Sequence, residues 1–362
     1  MSAAPVRQFT VDAEDDGIRL DRWFKRHLPE ASFGQVSRWA RTGQLRIDGK
    51  RAGPGDRIEA GQVIRVPPRS EETAPARPAR ARAPLSEDEI AFVRAMVIHA
   101  DPAAFVLDKP PGLATQGGTK TKDHLDRLLD GLVEEGEPRP KLVHRLDKDT
   151  SGALLVARTP RAAAFFSRAF SGRTARKVYW AVVAGVPAVD DGLIDLPLAK
   201  QPGTGGEKMH VDEEAGQPSR TRYRVIERAG NRAAFVALQP LTGRTHQLRV
   251  HMLAIGHPIV GDGKYGGQDA FLTGAISRKL HLHARRLRID HPDGGTIDVT
   301  AEPPEHFAAT MASLGFDPAA GDLPLDEIRF ADTAEGRRKA AGAAAKARRK
   351  ARRGERRSRR RS

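Results

Sequence analysis

The carboxylate of Asp147 stands in a polar stretch, His144-Arg145-Leu146-Asp147-Lys148-Asp149-Thr150-Ser151-Gly152, that runs without a break into the apolar Ala153-Leu154-Leu155-Val156-Ala157. A short polar turn feeding a continuous apolar run is the pattern of a loop entering a buried strand, so Arg145 and Asp147 should sit at the rim of a rigid sheet. Catalytic side chains are commonly held on such loops. Their alternation puts the two residues on one side of an extended segment. A second polar knot, Leu241-Thr242-Gly243-Arg244-Thr245-His246-Gln247-Leu248-Arg249-Val250-His251, follows another apolar strand. On spacing alone, Asp147 with these arginines reads as a structural ion pair or as a catalytic carboxylate.

Other chemistries fail on a missing residue. Asp147, Asp149, Ser151 and Gly152 imitate a calcium-binding loop, but the position that needs a bidentate Glu is Arg158. Gly203-Thr204-Gly205-Gly206-Glu207-Lys208 runs into Met209, where a phosphate-binding loop needs Ser or Thr. His246 and His251, and His281 with His283 on one face of a predicted strand, lack a clear third ligand and read as structural histidines. Ser151 has His144 nearby but no nucleophile elbow around it, and reads as a turn-capping serine. The absence of cysteine excludes disulfides, thiolate nucleophiles and thiolate metal sites. Neither a metal nor a cofactor is expected.

The elements that must position these residues can be read in chain order. Residues 9–68 form a small unit: Ile18, Leu20, Trp23, Phe24 and Leu28, then Val36, Trp39 and Ala40, fall at helical spacing, followed by short strands at Gln44–Gly49 and Gln62–Val66. Arg19, Arg22, Lys25, Arg26, Arg38 and Arg41 lie on these helices with Trp23 and Trp39 interleaved, a pattern that suits a phosphate backbone or an ordinary solvated face. Residues 69–88, rich in Ala, Pro, Arg and Glu, read as a linker, and an apolar alternation around Phe92 to Ile98 opens a second domain over 89–315. There, Phe105-Val106-Leu107-Asp108-Lys109 is a strand stopped by Pro110 and Pro111, partnered by Ala153–Ala157. Further strands are expected at Val178–Val183, Arg220–Glu227, Ala233–Gln239, Leu280–Leu287 and Thr296–Val299, helices at His124–Val133 and Arg161–Phe170, and a loop at Gly203–Gly216. Strands outnumber helices and rarely alternate with them, so the fold class is α+β with a mixed, mostly antiparallel sheet.

The formal net charge of +15 is local: residues 336–362 carry 14 Lys and Arg against Glu355, a net of +13, which leaves +2 for the other 335 residues. That basic tail is expected to be disordered until it meets an anion. No apolar run approaches the roughly 20 residues needed to cross a bilayer, and the N-terminus lacks a signal core. A soluble, cytoplasmic protein with no membrane partner is the expectation.

His144-Arg145-Leu146-Asp147-Lys148-Asp149-Thr150-Ser151-Gly152 resembles, without a gap, the signature of the RluA-type family of RNA pseudouridine synthases. Further similar motifs follow in family order: Leu107-Asp108-Lys109-Pro110-Pro111-Gly112, Arg176-Lys177-Val178-Tyr179, the Thr242–His251 knot, Gly256-His257-Pro258-Ile259 and Gly261-Asp262-Gly263-Lys264-Tyr265-Gly266. Residues 9–68, through Ile18-Arg19-Leu20-Asp21-Arg22 and Leu45-Arg46-Ile47-Asp48-Gly49, resemble the S4 RNA-binding domain. The resemblance implies an isomerase that detaches uracil from its ribose, rotates it and rejoins it through carbon. It implies Asp147 as nucleophile, Arg249 as the cation that keeps it ionised, Tyr179 stacked on the uracil, and Arg145 filling the place of the flipped base. It also implies an RNA substrate, 23S ribosomal RNA by domain order; a monomer is the expectation. A synthase acting on tRNA or on other rRNA sites, and a non-catalytic RNA-binding or ribosome-assembly protein in which Asp147 is structural, are the competing readings. The tail lies outside the family pattern.

Overall fold

The computed structural model describes residues 6–68, 84–117, 123–203 and 208–322. Most of the 69–88 linker, the tip of the Gly203–Gly216 stretch and the basic 336–362 tail lie outside the described residues. The chain divides into two compact units, Met1–Pro84 and Leu85–Ser362.

In the first unit, α1 (Leu20–His27) and α2 (Phe33–Arg41) accompany a four-stranded sheet of order β1-β4-β2-β3, with β1 at Arg7–Thr10, β2 at Arg46–Ile47, β3 at Lys50–Arg51 and β4 at Val63–Val66. Helix α2 starts at Ser32, whose hydroxyl accepts the Gln35 N–H at 3.3 Å. The apolar stripes close one core containing Leu20, Phe24, Val36, Leu45, Ile58 and Ile64. Trp23 and Trp39 belong to that core, at 2% and 7% exposure. The interleaved aromatics are therefore packing residues and present no stacking surface. Arg22, Arg38 and Arg41 are exposed, whereas Arg19 is held by both oxygens of Asp21.

The second unit opens earlier than composition indicates. Helix α3 (Glu87–Ala95) is started by a reciprocal capping box between Ser86 and Glu89, so residues 87 and 88 are helical, and Phe92 is an exposed helix residue ahead of β5 (Val97–Ala100). Most of the remaining elements build one ten-stranded sheet: β6 (Ala104–Lys109), β7 (Lys141–Leu142), β8 (Ser151–Ala157), β9 (Arg176–Ala184), β10 (Asp191–Asp195), β13 (Arg220–Ala229), β14 (Ala233–Pro240), β15 (Leu282–Asp290) and β16 (Thr296–Thr300). The path is β10-β13-β14-β9-β15-β8-β6-β5, with β16 on β15 and β7 on β8. Every pairing in it is antiparallel except β15 with β8, which meet only at His283 with Ser151 and Ala284 with Gly152. That short parallel contact joins the two halves of the sheet, and the Asp147 loop enters β8 there. One row of partners crosses the junction: Leu238, Tyr179, Ala284, Gly152 and Lys109. Gly152 is required in it, because φ is +104° and a Cβ would lie 2.3 Å from the Ala284 carbonyl oxygen.

Helices cover both faces. Helix α6 (Gln247–Ala254) buries Leu248 and Met252 against Ala181, Val183, Val236 and Leu238, while Phe307 and Met311 of α7 (Glu305–Leu314) pack on the opposite face against Val178, Trp180 and Phe235. Helix α5 (Pro160–Gly172) and the short α4 (Leu125–Leu128) cover the β6–β8 half. Helix α6 was not legible as a helix, because polar residues that serve the site interrupt its apolar spacing. The Gly203–Gly216 stretch is not all loop: β12 (Met209–Val211) pairs with β11 (Leu198–Lys200).

The core holds four histidines as neutral groups. His144 stacks on Phe170 at 4.1 Å and accepts the Leu155 N–H at 2.8 Å, and burial pushes its pKa down to about 3. His251, His281 and His283 each bond through both ring nitrogens to a hydroxyl and a carbonyl, and burial lowers each to about 4. Ser151 is thus the partner of His283 and does not cap a turn. In the unfolded chain these rings take a proton near pH 6.5, so the unfolded state binds more protons between that pH and about 4. Stability present above pH 6.5 should fall as the pH drops through the folded-state values, by at most about 3 kcal/mol for each of His251, His281 and His283 and about 5 kcal/mol for His144. Urea unfolding at pH 7.0 and 5.5, where ordinary carboxylates are still ionised, checks this, and an unchanged midpoint would contradict it.

Candidate active site

The Asp147 loop is fastened to the turn that follows β6. Two prolines end β6 and turn the chain back, which leaves the buried Lys109 ammonium facing carbonyl groups. Its Nζ donates to the oxygens of Pro110 at 2.8 Å, Leu113 at 2.8 Å and Lys148 at 3.0 Å. All three donors are thereby used, and one bond goes to the residue after Asp147. Burial drags this ammonium down to about 7 against the pull of Asp149, Asp147 and Asp108. A second fastening is reciprocal: Thr115 Oγ1 donates to the Leu146 oxygen at 2.6 Å and accepts the Leu146 N–H at 3.2 Å. Leu146 itself is buried in the core beneath α4. The backbone on both sides of Asp147 is therefore fixed.

The side chain it presents is not tied down. The Asp147 carboxylate accepts no hydrogen bond from a described residue, is 19% exposed, and is approached by the His246 ring, whose Nε2 lies 3.9 Å from Oδ2. A carboxylate with free lone pairs, on a fixed backbone, can attack an electrophilic carbon, whereas one saturated by hydrogen bonds would first have to release them. His246 is the N-cap residue of α6, so the positive end of that helix lies beside the carboxylate.

Arg249, in the first turn of α6, is near Asp147 but is not its salt-bridge partner. Its Nε and Nη2 donate to Asp262 at 2.8 and 2.6 Å in a bidentate pair with both side chains buried. The guanidinium also lies 5.0 Å from the centre of the Tyr265 ring. Burial opposes its charge, but Asp262 first, then Asp147 and Tyr265, raise its pKa above the ordinary arginine value. Arg249 therefore supplies field to the site while its hydrogen bonds go to Asp262, a correction to the direct pairing expected from sequence.

Tyr179, on β9 in the row of partners that contains Gly152, is partly buried. Burial, and secondarily the Asp147 charge, push its phenol well above the ordinary range. It stays protonated at neutral pH, so it can donate a hydrogen bond but is no resident base. Arg145 is exposed at the loop and makes no ion pair with a described residue, so that it can reach a bound polyanion. The structure thus gathers Asp147, Tyr179 and Arg249 and places Arg145 at their rim. Arg19, Arg22, Arg38 and Arg41 belong to the other compact unit.

Sequence reasoning missed Lys109, Thr115, His246, Asp262 and Tyr265 as working residues. Asp262 and Tyr265 stood in a quoted motif, yet nothing in their spacing relates them to Arg249, because the contact forms across a turn between α6 and β15. Lys109 looked like a strand-end lysine, and only three convergent carbonyls reveal its use. Among the described residues no group of three or more His, Asp or Glu is placed to hold a metal, and no helix is long and apolar enough to cross a membrane.

A family model described as RNA pseudouridylate synthase matches residues 103–254. A protein of Vibrio vulnificus (strain CMCP6) named ribosomal large subunit pseudouridine synthase C is 34% identical over 291 residues, spanning 78% of this chain and 88% of that one. A Yersinia pestis protein of the same name is 35% identical over 292 residues, spanning 80% and 89%. Among solved structures, human RNA pseudouridylate synthase domain containing 4 matches with a TM-score of 0.52 at 28% identity, over 64% of this chain and 98% of that one.

Proposed function

The chain belongs to the RNA pseudouridylate synthase family, in its RluA-type branch, and isomerises uridine to pseudouridine in RNA; from that premise we propose that Asp147 is the nucleophile and large-subunit ribosomal RNA the substrate. The observation that carries the nucleophile is the unbonded Asp147 carboxylate on a backbone held from both sides. The carboxylate attacks the sugar C1′ or the uracil ring, the N1–C1′ bond breaks, the base rotates, C5 bonds to C1′, and the bond to Asp147 breaks to return the free carboxylate. The C5 proton is lost and N1 gains one, so the product is an isomer and no redox partner is consumed.

A stacked uridine is out of reach and must be flipped, at a few kcal/mol for unstacking. Arg145, exposed and with no ion-pair partner among the described residues, fills the vacated space with a planar guanidinium, and Tyr179 stacks on the base and donates through its phenol. The first unit is an S4-like module whose Arg22, Arg38 and Arg41 meet phosphates, with Arg19 contributing only if it leaves Asp21. The enzyme acts as a monomer in the cytoplasm. The ribosomal assignment rests on the names of the bacterial relatives. It is tested by incubating the protein with transcripts of large-subunit RNA, small-subunit RNA and tRNA and mapping pseudouridine. Conversion at discrete positions of the large-subunit transcript alone is expected, and conversion confined to tRNA would overturn the substrate and leave the family intact.

A further inference from the structure

We propose that His246 is the positioning residue for Asp147, set by Tyr265 in the tautomer that carries its proton on Nε2. The inference rests on the nucleophile reading above and adds a residue to it. His246 is partly buried, 14% exposed, and its backbone has φ of +51°. A non-glycine residue holds the left-handed region only where the surroundings fix it, and such residues cluster at functional sites.

The ring is held from behind. His246 Nδ1 lies 2.6 Å from Tyr265 Oη, and the same oxygen accepts the Met209 N–H at 3.0 Å. Of the two groups bonded to Tyr265 Oη the Met209 N–H can only donate, and the single phenol proton has His246 Nδ1 as the acceptor it faces, so Tyr265 donates to Nδ1. The imidazole proton is then left on Nε2, the atom that faces Asp147 Oδ2 at 3.9 Å. Burial lowers His246 below its ordinary pKa and raises Tyr265, in keeping with a neutral ring beside a protonated phenol. The charged groups facing the ring are Asp147 and Asp262, which favour its cation, and Arg249 and Lys264, which oppose it.

The arrangement gives Asp147 a neutral donor. Arg249, whose charge reaches Asp147, spends its hydrogen bonds on Asp262. A single N–H on one oxygen fixes the carboxylate plane and leaves the other oxygen to attack. The 3.9 Å gap is longer than a hydrogen bond, and such contacts tighten when substrate excludes water.

Three variants test this, assayed by pseudouridine formation on one RNA substrate. His246→Asn tolerates the left-handed backbone but cannot reach Asp147, and kcat should fall roughly 10- to 100-fold, the worth of a hydrogen bond to a charged group, with KM little changed. His246→Gln restores an amide donor near the position of Nε2 and should recover most of that loss. Tyr265→Phe removes the donor to Nδ1, which favoured the neutral ring, so the acid limb of its kcat profile should move to higher pH. A His246→Asn protein with unchanged kcat, or a Tyr265→Phe protein that loses rate with no movement of the acid limb, overturns the proposal. Activity surviving in Asp147→Asn would remove the nucleophile and this proposal together, whereas activity surviving only in His246→Asn removes this one alone.

Discussion

Replacing Asp147 by asparagine should lower pseudouridine formation on the order of 10⁴-fold or more, because the carboxylate supplies a covalent step that the amide cannot. The fold should hardly notice. The side chain accepts no hydrogen bond from a described residue, so the isosteric amide leaves no buried partner unsatisfied, and its backbone is held by Lys109 and Thr115 through bonds the substitution leaves alone. RNA affinity should stay within about 3-fold, because binding draws on many phosphate contacts and the variant removes a charge that repels RNA. Release of tritium from RNA labelled at uracil C5 reads the chemistry, and filter binding reads the affinity. Retained tritium release would make Asp147 structural, while loss of release together with loss of binding would point to a disturbed loop.

Much of this site was legible in sequence where chemistry is carried by contiguous residues. The polar turn ahead of Ala153–Ala157 showed a loop entering a buried strand, and the prolines after Lys109 showed where its neighbour stops, because apolar period and proline geometry are local signals. The α+β class followed from the same counting. What could not be read is what forms between distant segments. The α6 helix was hidden because Arg249 and His251 on it are buried for their polar partners, which breaks the apolar period that marks a helix. Trp23 and Trp39 were misleading for the opposite reason: their spacing with arginines suits both a stacking surface and an amphipathic helix, and only packing decides. Arg249 was expected beside Asp147 by resemblance, and its hydrogen bonds to Asp262 could not be read, since Asp262 reaches it across a turn that sequence distance does not reveal.

Breaking that pair should have the largest effect on stability. Arg249 and Asp262 have side-chain exposures of 6% and 1%, so Arg249→Met leaves a buried carboxylate, and Asp262→Ala a buried guanidinium, with no countercharge in direct contact. Each single variant should lose about 3–5 kcal/mol of unfolding free energy. Arg249→Met with Asp262→Leu removes both charges and fills the space with apolar atoms, so it should be more stable than either single variant and far from the sum of their losses. Urea unfolding of the four proteins measures the coupling. If Arg249 served only as a countercharge to Asp147, Asp262→Ala would cost little stability and the double variant would behave additively. Activity follows a different rule, because the double variant regains a fold without regaining a positive field beside Asp147, and its pseudouridine formation should stay as low as that of Arg249→Met. Recovery of stability without recovery of rate would separate the two uses of this arginine: its hydrogen bonds hold α6 to the Gly261–Gly266 turn, and its charge, left over in the direction of Asp147, serves the reaction.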